Sequence, residues 1–448
     1  MRYTSLAEWL GWLEQSHPTE IDLGLTRIRQ VAERLQLLNP LAKTITVAGT
    51  NGKGSCVTAC AALLQSAHYS AGIYTSPHLL HYAERIQVNG KPVSDVEICN
   101  AFEKIAIAAD AVDISLTYFE YGTLAALEIF KQHRVDFMVL EVGLGGRLDA
   151  INIIDADIAI ITSIALDHQA WLGDTRELIG REKAGILRAH QIFICADENP
   201  PQSIIDIGVE LQTQSYFIGR DFSYQLAAKK WCWQGKNIHD NTVSLSDVSA
   251  PHLPLPSMAA ALQAIYLLDI KLPFVVIEAT LGELRLAGRF QKIIYQHREF
   301  ILDVAHNPAA TEYLTRRLMA EPCTGKTHAI VAMMADKDCA ASLANLMNLV
   351  DSWYLLDLTH IPRAATPEVL AENLTRLNIE AHALSNQVLS SHVLNNNDQC
   401  KGDINAIMTT LLDASEAGDR VVVFGSFYTV AAVLSYLHVN LQGIHDIH

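Results

Sequence analysis

Residues 44–70 read TITVAGTNGKGSCVTACAALLQSAHYS: a short β-branched run, a glycine-rich turn, then an Ala- and Leu-rich helical pattern. Strand, loop and helix in that order predict a phosphate-binding unit. Glycines let backbone N–H groups converge on phosphate oxygens, and the helix N-terminus adds its dipole. Gly49, Thr50, Asn51, Gly52, Lys53, Gly54 and Ser55 are the candidate nucleotide contacts, with the Lys53 ammonium a point charge for the β- and γ-phosphates. The segment departs from the common form GxxxxGKS/T because Gly54 separates Lys53 from Ser55. An ordinary strand-to-helix turn would need neither this lysine nor so many glycines.

Similar units recur outward from this loop. Val135–Glu141 is followed by GLGGRLDA, and 159–164 by LDHQAWLG. Both runs read as buried parallel strands with loops at their carboxyl ends, where open α/β sheets bind ligands. From about 215 to 250 the texture turns polar and aromatic, as in KKWCWQGKNIHDN, which predicts a small antiparallel hairpin. Pro251, Pro254 and Pro256 then introduce a helix through MAAALQAIYLL. Strand-like runs at 300–304, 327–334, 353–358 and 420–426 alternate with helical ones in a second α/β block. The expected domains are 1–287 and 288–448, joined by a linker at about 288–298. No repeat of solenoid or propeller period is visible.

Composition sets the outer bounds. The chain has 448 residues, 50% apolar and 18% charged, with net charge −16, so it can bury a large core and is neither disordered nor a general binder of polyanions. Eight cysteines without a CxxC pair read as reduced thiols. Glu8 and Glu14 interrupt what would have to be the apolar stretch of a signal peptide. The longest apolar run, Val421–Leu434, is broken by Gly425 and Ser426. A soluble, cytoplasmic protein, monomeric and without nucleic-acid or membrane partners, is expected.

GTNGKGS, TSPHL (75–79), LTYFEYGTL (116–124), EVGLGGRLDA (141–150), SIALDH (163–168), GREKAGI (180–186), GRF (288–290), DVAHNP (303–308) and GSFYTV (425–430) together extend across nearly the whole chain. In this order they resemble the folylpolyglutamate synthase/dihydrofolate synthase family of the Mur-ligase superfamily. The resemblance implies an N-terminal P-loop NTPase-like domain, a C-terminal Rossmann-like α/β domain, and ATP and substrates in a cleft between them. It also implies ATP-dependent joining of L-glutamate to dihydropteroate, giving dihydrofolate, and to reduced folates, giving polyglutamates, through an acyl phosphate. The implied cofactors are ATP and magnesium, with two ions expected and a monovalent cation as a further candidate.

Residue types can be weighed against that reaction. Glu141 ends a buried strand, which suits a hard-cation carboxylate as well as a solvated strand end. The resemblance makes it a magnesium ligand together with Ser76, and adds His168, which on chemistry alone reads as a structural hydrogen bonder. Two ions would clamp the attacking and leaving oxygens of phosphoryl transfer. Lys183 would ordinarily be a solvated helix lysine; the resemblance implies a carbamylated one that supports the second ion. The hydroxyl after a P-loop lysine usually serves magnesium, which would favour Ser55, but the resemblance favours Ser76.

By the same resemblance Arg289 reaches the phosphates, Asp303 the ribose or adenine side, and His306 and Ser426 the incoming glutamate. Their ordinary readings are a linker arginine, a strand-end aspartate, a turn histidine and a helix-cap serine. Ser257 stands just after LPLP, where the family often has an ATP-binding asparagine. Thr117, Tyr118, Phe119 and Glu120 with Leu148, Asp149 and Ala150 are expected at the pterin. A flat heteroaromatic ring stacks on Tyr or Phe, and a carboxylate accepts from its amino and ring N–H groups. Asp22 is expected to close this pocket.

Three rivals differ in class or substrate. A monofunctional folylpolyglutamate synthase is the alternative to the bifunctional reading, which rests on the resemblance of LTYFEYGTL and IDLG (21–24) to the dihydrofolate-forming members. A peptidoglycan Mur ligase would place a uridine-nucleotide domain before the loop, where 48 residues precede Gly49. A non-catalytic ATP-binding switch would need the loop but not Glu141, His168 and Lys183 together.

Overall fold

The computed structural model describes residues 2–19, 21–227, 230–377 and 404–440. The chain divides into two units, 1–284 and 285–448.

The first unit is built on eight strands: β1 (Lys43–Ala48), β2 (Ala71–Tyr74), β3 (Ile86–Val88), β4 (Lys91–Pro92), β5 (Phe137–Glu141), β6 (Ile158–Ile161), β7 (Ile192–Cys195) and β8 (Gln214–Phe217). Their order is β4-β3-β2-β5-β1-β6-β7-β8. The six strands from β2 to β8 run parallel, with β3 and β4 added antiparallel at one edge. The central strands are buried along almost their whole length, so they read as continuous apolar runs rather than alternating ones. Val47 pairs with Glu141, so the neighbouring central strands β1 and β5 deliver the phosphate loop and that carboxylate to the same carboxyl end of the sheet.

The helix after the loop, Lys53–Ser66, is rich in Gly, Ser, Cys and Ala. Those small side chains let it lie between the sheet and a second buried helix, Leu255–Leu267. The antiparallel hairpin expected within 215–250 is present, Lys230–Lys236 against Thr242–Ser249, and is extended by a third strand. β8 joins the main sheet, and β9 (Ser223–Ala227), β10 (Lys230–Lys236) and β11 (Thr242–Ser249) form a three-stranded antiparallel sheet. Trp231 and Trp233 alternate with exposed neighbours along β10, a period of two that puts both indoles on one buried face. Trp233 stacks on Tyr266 at 5.2 Å and its indole N–H donates to the Ala259 carbonyl at 3.2 Å. This small sheet therefore holds the helix that begins beside the phosphate loop.

The second unit carries β12 (Gln291–Tyr295), β13 (Arg298–Leu302), β14 (Thr327–Val331), β15 (Ser352–Leu355) and β16 (Arg420–Phe424), in the order β12-β13-β16-β14-β15. Only β12 is antiparallel. It falls inside the stretch expected to be linker, where Gln291–Tyr295 pairs with β13 and becomes the edge of this sheet. Among the described residues no helix is long and apolar enough to cross a membrane, and Cys56, Cys60, Cys99, Cys195, Cys232, Cys323 and Cys339 are free thiols.

Candidate active site

The phosphate loop is held from outside itself. The Thr50 N–H donates to the Ser163 carbonyl at 2.7 Å, and Thr50 Oγ1 donates to Ala165 O at 3.2 Å and accepts from Ala165 N at 3.1 Å. Thr162 Oγ1 donates to Asn51 O at 2.7 Å. Gly52 has φ +86° and caps the helix, and a Cβ there would lie 2.7 Å from Ser257 Oγ. That hydroxyl donates to the Gly52 carbonyl at 3.1 Å. Ser257 is thus placed against the phosphate loop, although it has the shorter side chain. Lys53 Nζ folds back onto the Thr50 carbonyl at 3.2 Å. Ser55 is fully buried and its Oγ has no hydrogen-bond partner, a cost that a phosphate oxygen at the helix N-terminus would relieve.

Glu141 is buried at the end of β5, and Ser76, just beyond β2, donates its backbone N–H to Glu141 Oε2 at 3.3 Å. Two of the three expected magnesium residues are therefore neighbours. His168 follows the segment that clamps Thr50 and Asn51, and at φ +51° it takes a left-handed turn before Gln169–Leu172. Among the described residues no three His, Cys, Asp or Glu side chains gather as a ready metal site. A carboxylate and a hydroxyl fit a hard ion whose remaining ligands arrive with a nucleotide, as is usual for magnesium, and the His168 imidazole is the softer donor of the set.

Lys183 lies on the helix Arg176–Ala184 and is 5% exposed. Burial, and then the Lys53 ammonium, pull its amine down to about 7, against the opposing fields of Asp167 and Asp149. These residues therefore share one electrostatic neighbourhood. Asp167 was missed by the reading of the sequence; it is buried, and its signal was available in LDH, one position before His168.

The helix meets the GLGGRLDA loop at very close range. A Cβ on Gly146 would lie 2.8 Å from the carbonyls of Glu182 and Lys183, and one on Gly185 would collide with Arg147. Arg147 N–H donates to Glu182 O at 2.8 Å, and its guanidinium pairs with Glu182 Oε1 at 2.9 Å. Asn152 Nδ2 bridges the carbonyls of Arg147 and Gly185, both at 3.0 Å.

Asp149 is buried and caps the turn Ala150–Ile153, accepting from Leu144 N at 2.8 Å and Ile151 N at 3.0 Å. Burial pushes its carboxyl up to about 6 in spite of those bonds. Leu148 and Tyr118 are half-buried, and Phe119 lies 5.8 Å from Tyr74. Thr117 and Glu120 form a capping box: Thr117 N–H donates to Glu120 Oε2 at 2.8 Å, and Thr117 Oγ1 accepts from Glu120 N at 3.2 Å. Arg27 joins Asp22, at 2.8 Å, to Glu120, at 3.3 Å. The structure thus connects Asp22 to the 117–120 segment through an arginine that sequence reasoning did not single out.

In the second unit the candidates gather at the carboxyl ends of β13 and β16. Asp303 accepts from Phe290 N at 2.8 Å and Ala305 N at 2.9 Å, and burial raises its carboxyl. Arg289 lies 5.1 Å over the Phe427 ring. His306 Nδ1 donates to Val304 O at 2.8 Å, and Gly425 N donates to Ala305 O at 2.8 Å, drawing the DVAHNP and GSF segments together. Ser426 Oγ accepts from Thr429 N at 3.0 Å, so this serine is built as a buried helix cap.

This geometry defines a class: residues 47–251 match the Mur ligase middle domain and residues 288–427 the Mur ligase glutamate ligase domain. Within that class the chain belongs to the dihydrofolate synthase/folylpolyglutamate synthase family. It is 41% identical over 438 residues to the dihydrofolate synthase/folylpolyglutamate synthase of Escherichia coli (strain K12), covering 98% of this chain and 97% of that protein. It is similar to the solved E. coli FolC in complex with DHPP and ADP, with TM-score 0.87, 39% identity and coverage of 98% and 99%. A bifunctional folylpolyglutamate synthase/dihydrofolate synthase with Mn, AMPPNP and L-glutamate bound is similar at TM-score 0.84 and 41% identity, covering 97% of this chain and 98% of that one.

Proposed function

We infer that this chain uses ATP and a divalent cation to join L-glutamate to the carboxylate of dihydropteroate and of reduced folates. The observation that supports this most is the convergence of the phosphate loop, the Ser76–Glu141 pair and the buried Lys183 neighbourhood at the carboxyl end of the first unit's sheet. Loop N–H groups and Lys53 would hold the phosphates, and the Ser257 bond to Gly52 fixes the left-handed turn from which those groups point. Glu141, Ser76 and His168 would hold magnesium, which when bound offsets the charge shared by the carboxylate and the transferring phosphoryl group. Asp149 and the Thr117–Glu120 cap would set the pterin end of the acceptor, and the second unit's Arg289, Asp303, His306 and Ser426 would serve ATP and glutamate. A cytoplasmic location belongs to the same reading, since free thiols suit a reducing compartment.

The test is glutamate-dependent ADP release with dihydropteroate, tetrahydrofolate or neither. Release is expected with each acceptor only when glutamate is present, and Lys53→Ala should abolish both activities. ADP release indifferent to glutamate would overturn the ligase reading, and activity with tetrahydrofolate alone would favour the monofunctional alternative.

The two serines separate in the same assay. Ser76 beside Glu141 is proposed for the metal, and the orphaned Ser55 hydroxyl for a phosphate oxygen. Ser76→Ala should therefore raise the magnesium requirement more than Ser55→Ala does, whereas Ser55→Ala should act chiefly on KM for ATP. The reverse ranking in a magnesium titration would favour the usual P-loop assignment.

A further inference from the structure

Ile164 lies beyond the end of β6, where sheet pairing no longer serves its backbone, and two side chains from other elements take both of its polar groups. Asp197, just past β7 and 6% exposed, accepts from Ile164 N at 2.6 Å. Arg176, the first residue of the helix that bears Lys183, donates Nε to Ile164 O at 2.9 Å. The two also hold each other. Arg176 Nη2 pairs with Asp197 Oδ2 at 3.2 Å and donates to Asn199 O at 2.7 Å, while Asp197 Oδ1 accepts from Asn199 N at 2.9 Å. Neither residue belongs to a motif assigned above. The residue they hold is nevertheless the middle of the clamp on the phosphate loop: the Ser163 carbonyl accepts from Thr50 N, and both backbone groups of Ala165 bond the Thr50 hydroxyl.

We propose that Arg176 and Asp197 are positioning residues for the nucleotide: they fix the 163–165 segment and, through it, set the phosphate loop in the shape that receives ATP. The inference rests on the nucleotide-binding part of the ligase reading and deepens it. An ion pair that served stability alone could be anchored anywhere between helix and sheet. This one is anchored on the residue whose neighbours on both sides bond the loop, and a glycine-rich loop has little rigidity of its own. A shift of Ile164 would carry the Ser163 carbonyl and both Ala165 groups with it, and Thr50 would lose its place. Because Arg176 opens the helix of Lys183, the pair also ties that helix to the clamp.

The experiment measures ADP binding by titration calorimetry, with KM for ATP and for dihydropteroate, in wild type, Asp197→Ala, Arg176→Lys, Thr50→Val and the double variant Asp197→Ala/Thr50→Val. Asp197→Ala should weaken ADP binding about 10-fold, the scale of a lost charged hydrogen bond, and raise KM for ATP to match. Its KM for dihydropteroate should stay within about threefold, on the ordinary scale of a distant substitution. Arg176→Lys keeps the charge without the fork, and one ammonium cannot serve Ile164 O, Asp197 and Asn199 O together. That variant should melt close to wild type and still bind ADP several-fold more weakly. In the Thr50→Val background, where part of the clamp is already gone, Asp197→Ala should cost less than it does alone. Equal rises in both KM values, or an equal cost of Asp197→Ala with and without the Thr50 hydroxyl, would overturn the assignment. If Asp197→Ala does not fold, Arg176→Lys decides alone, and wild-type ADP affinity in it would overturn the assignment. Wild type that binds ADP without releasing it in a glutamate-dependent reaction would instead overturn the ligase reading, and the binding comparison would still test the pair.

Discussion

Glu141→Gln is expected to lower kcat by on the order of 10²-fold or more at saturating magnesium, the usual scale for a single group that stabilises developing charge. The substitution keeps the shape of a side chain that is 5% exposed at the end of β5, and it leaves the strand pairing of Val47 with residue 141 untouched. What it removes is the negative charge beside the Ser76 N–H, at 3.3 Å, and hence the anionic ligand proposed for the metal. Thermal unfolding without nucleotide should change little, because an amide loses no packing there. Near-normal turnover in this variant, measured as glutamate-dependent ADP release, would remove Glu141 from the metal site.

The second large effect concerns Lys183. Its amine is pulled down to about 7 by burial and by Lys53, so near neutral pH a large share of it is unprotonated and able to add carbon dioxide. The product would be a carbamate, which replaces a cation that repels magnesium with an oxygen donor. Lys183→Ala should reduce activity by on the order of 10²-fold, as for other groups acting on transition-state charge. A small carboxylic acid added to that variant should restore part of the loss, and Lys183→Arg should stay inactive. Full activity in the arginine variant would show that no carbamate is required. The unmodified lysine has a stability signature as well. The unfolded chain binds this proton more tightly than the native one, so the contribution of Lys183 should make the unmodified protein more stable as pH rises from about 7 toward 10.5. Denaturant melts in carbon-dioxide-free buffer, wild type against Lys183→Met, would read that slope.

How far the sequence could be read follows from how local each feature is. The phosphate loop was legible because its glycines, lysine and helix start lie within a few residues of one another. Glu141 was legible as the end of an apolar run. The clamp that shapes the loop was not, because Thr162, Ser163 and Ala165 reach it only through the adjacency of β1 and β6. The Ser257 contact with Gly52 spans 205 positions and depends on a helix held by Trp233 and Tyr266. Arg27 lies 93 residues from Glu120, and nothing in its own neighbourhood marks the ion pair. Within 215–250 the hairpin of β10 and β11 was legible from its alternating tryptophans and polar turn. That β8 at the start of the segment belongs to the main sheet was not, because a short polar strand shows its place only once its parallel neighbour β7 is known. The meanings of Ser426 and Glu120 as caps were, in contrast, open to ordinary capping logic.

The seam between the GLGGRLDA loop and the helix bearing Lys183 has a consequence for how such an enzyme can change over time. With Gly146 and Gly185 leaving no space for a methyl group, and Arg147, Glu182 and Asn152 stitched across it, loop and helix move as one body. Asp149 at one end and Lys183 at the other are therefore not independently adjustable. A lineage adapting to a new acceptor would find single substitutions at this seam closed to it, since each would displace the lysine along with the loop. Its freedom lies off the seam, in side chains such as Asp22 and Arg27, whose ion pair reaches Glu120 without crossing it.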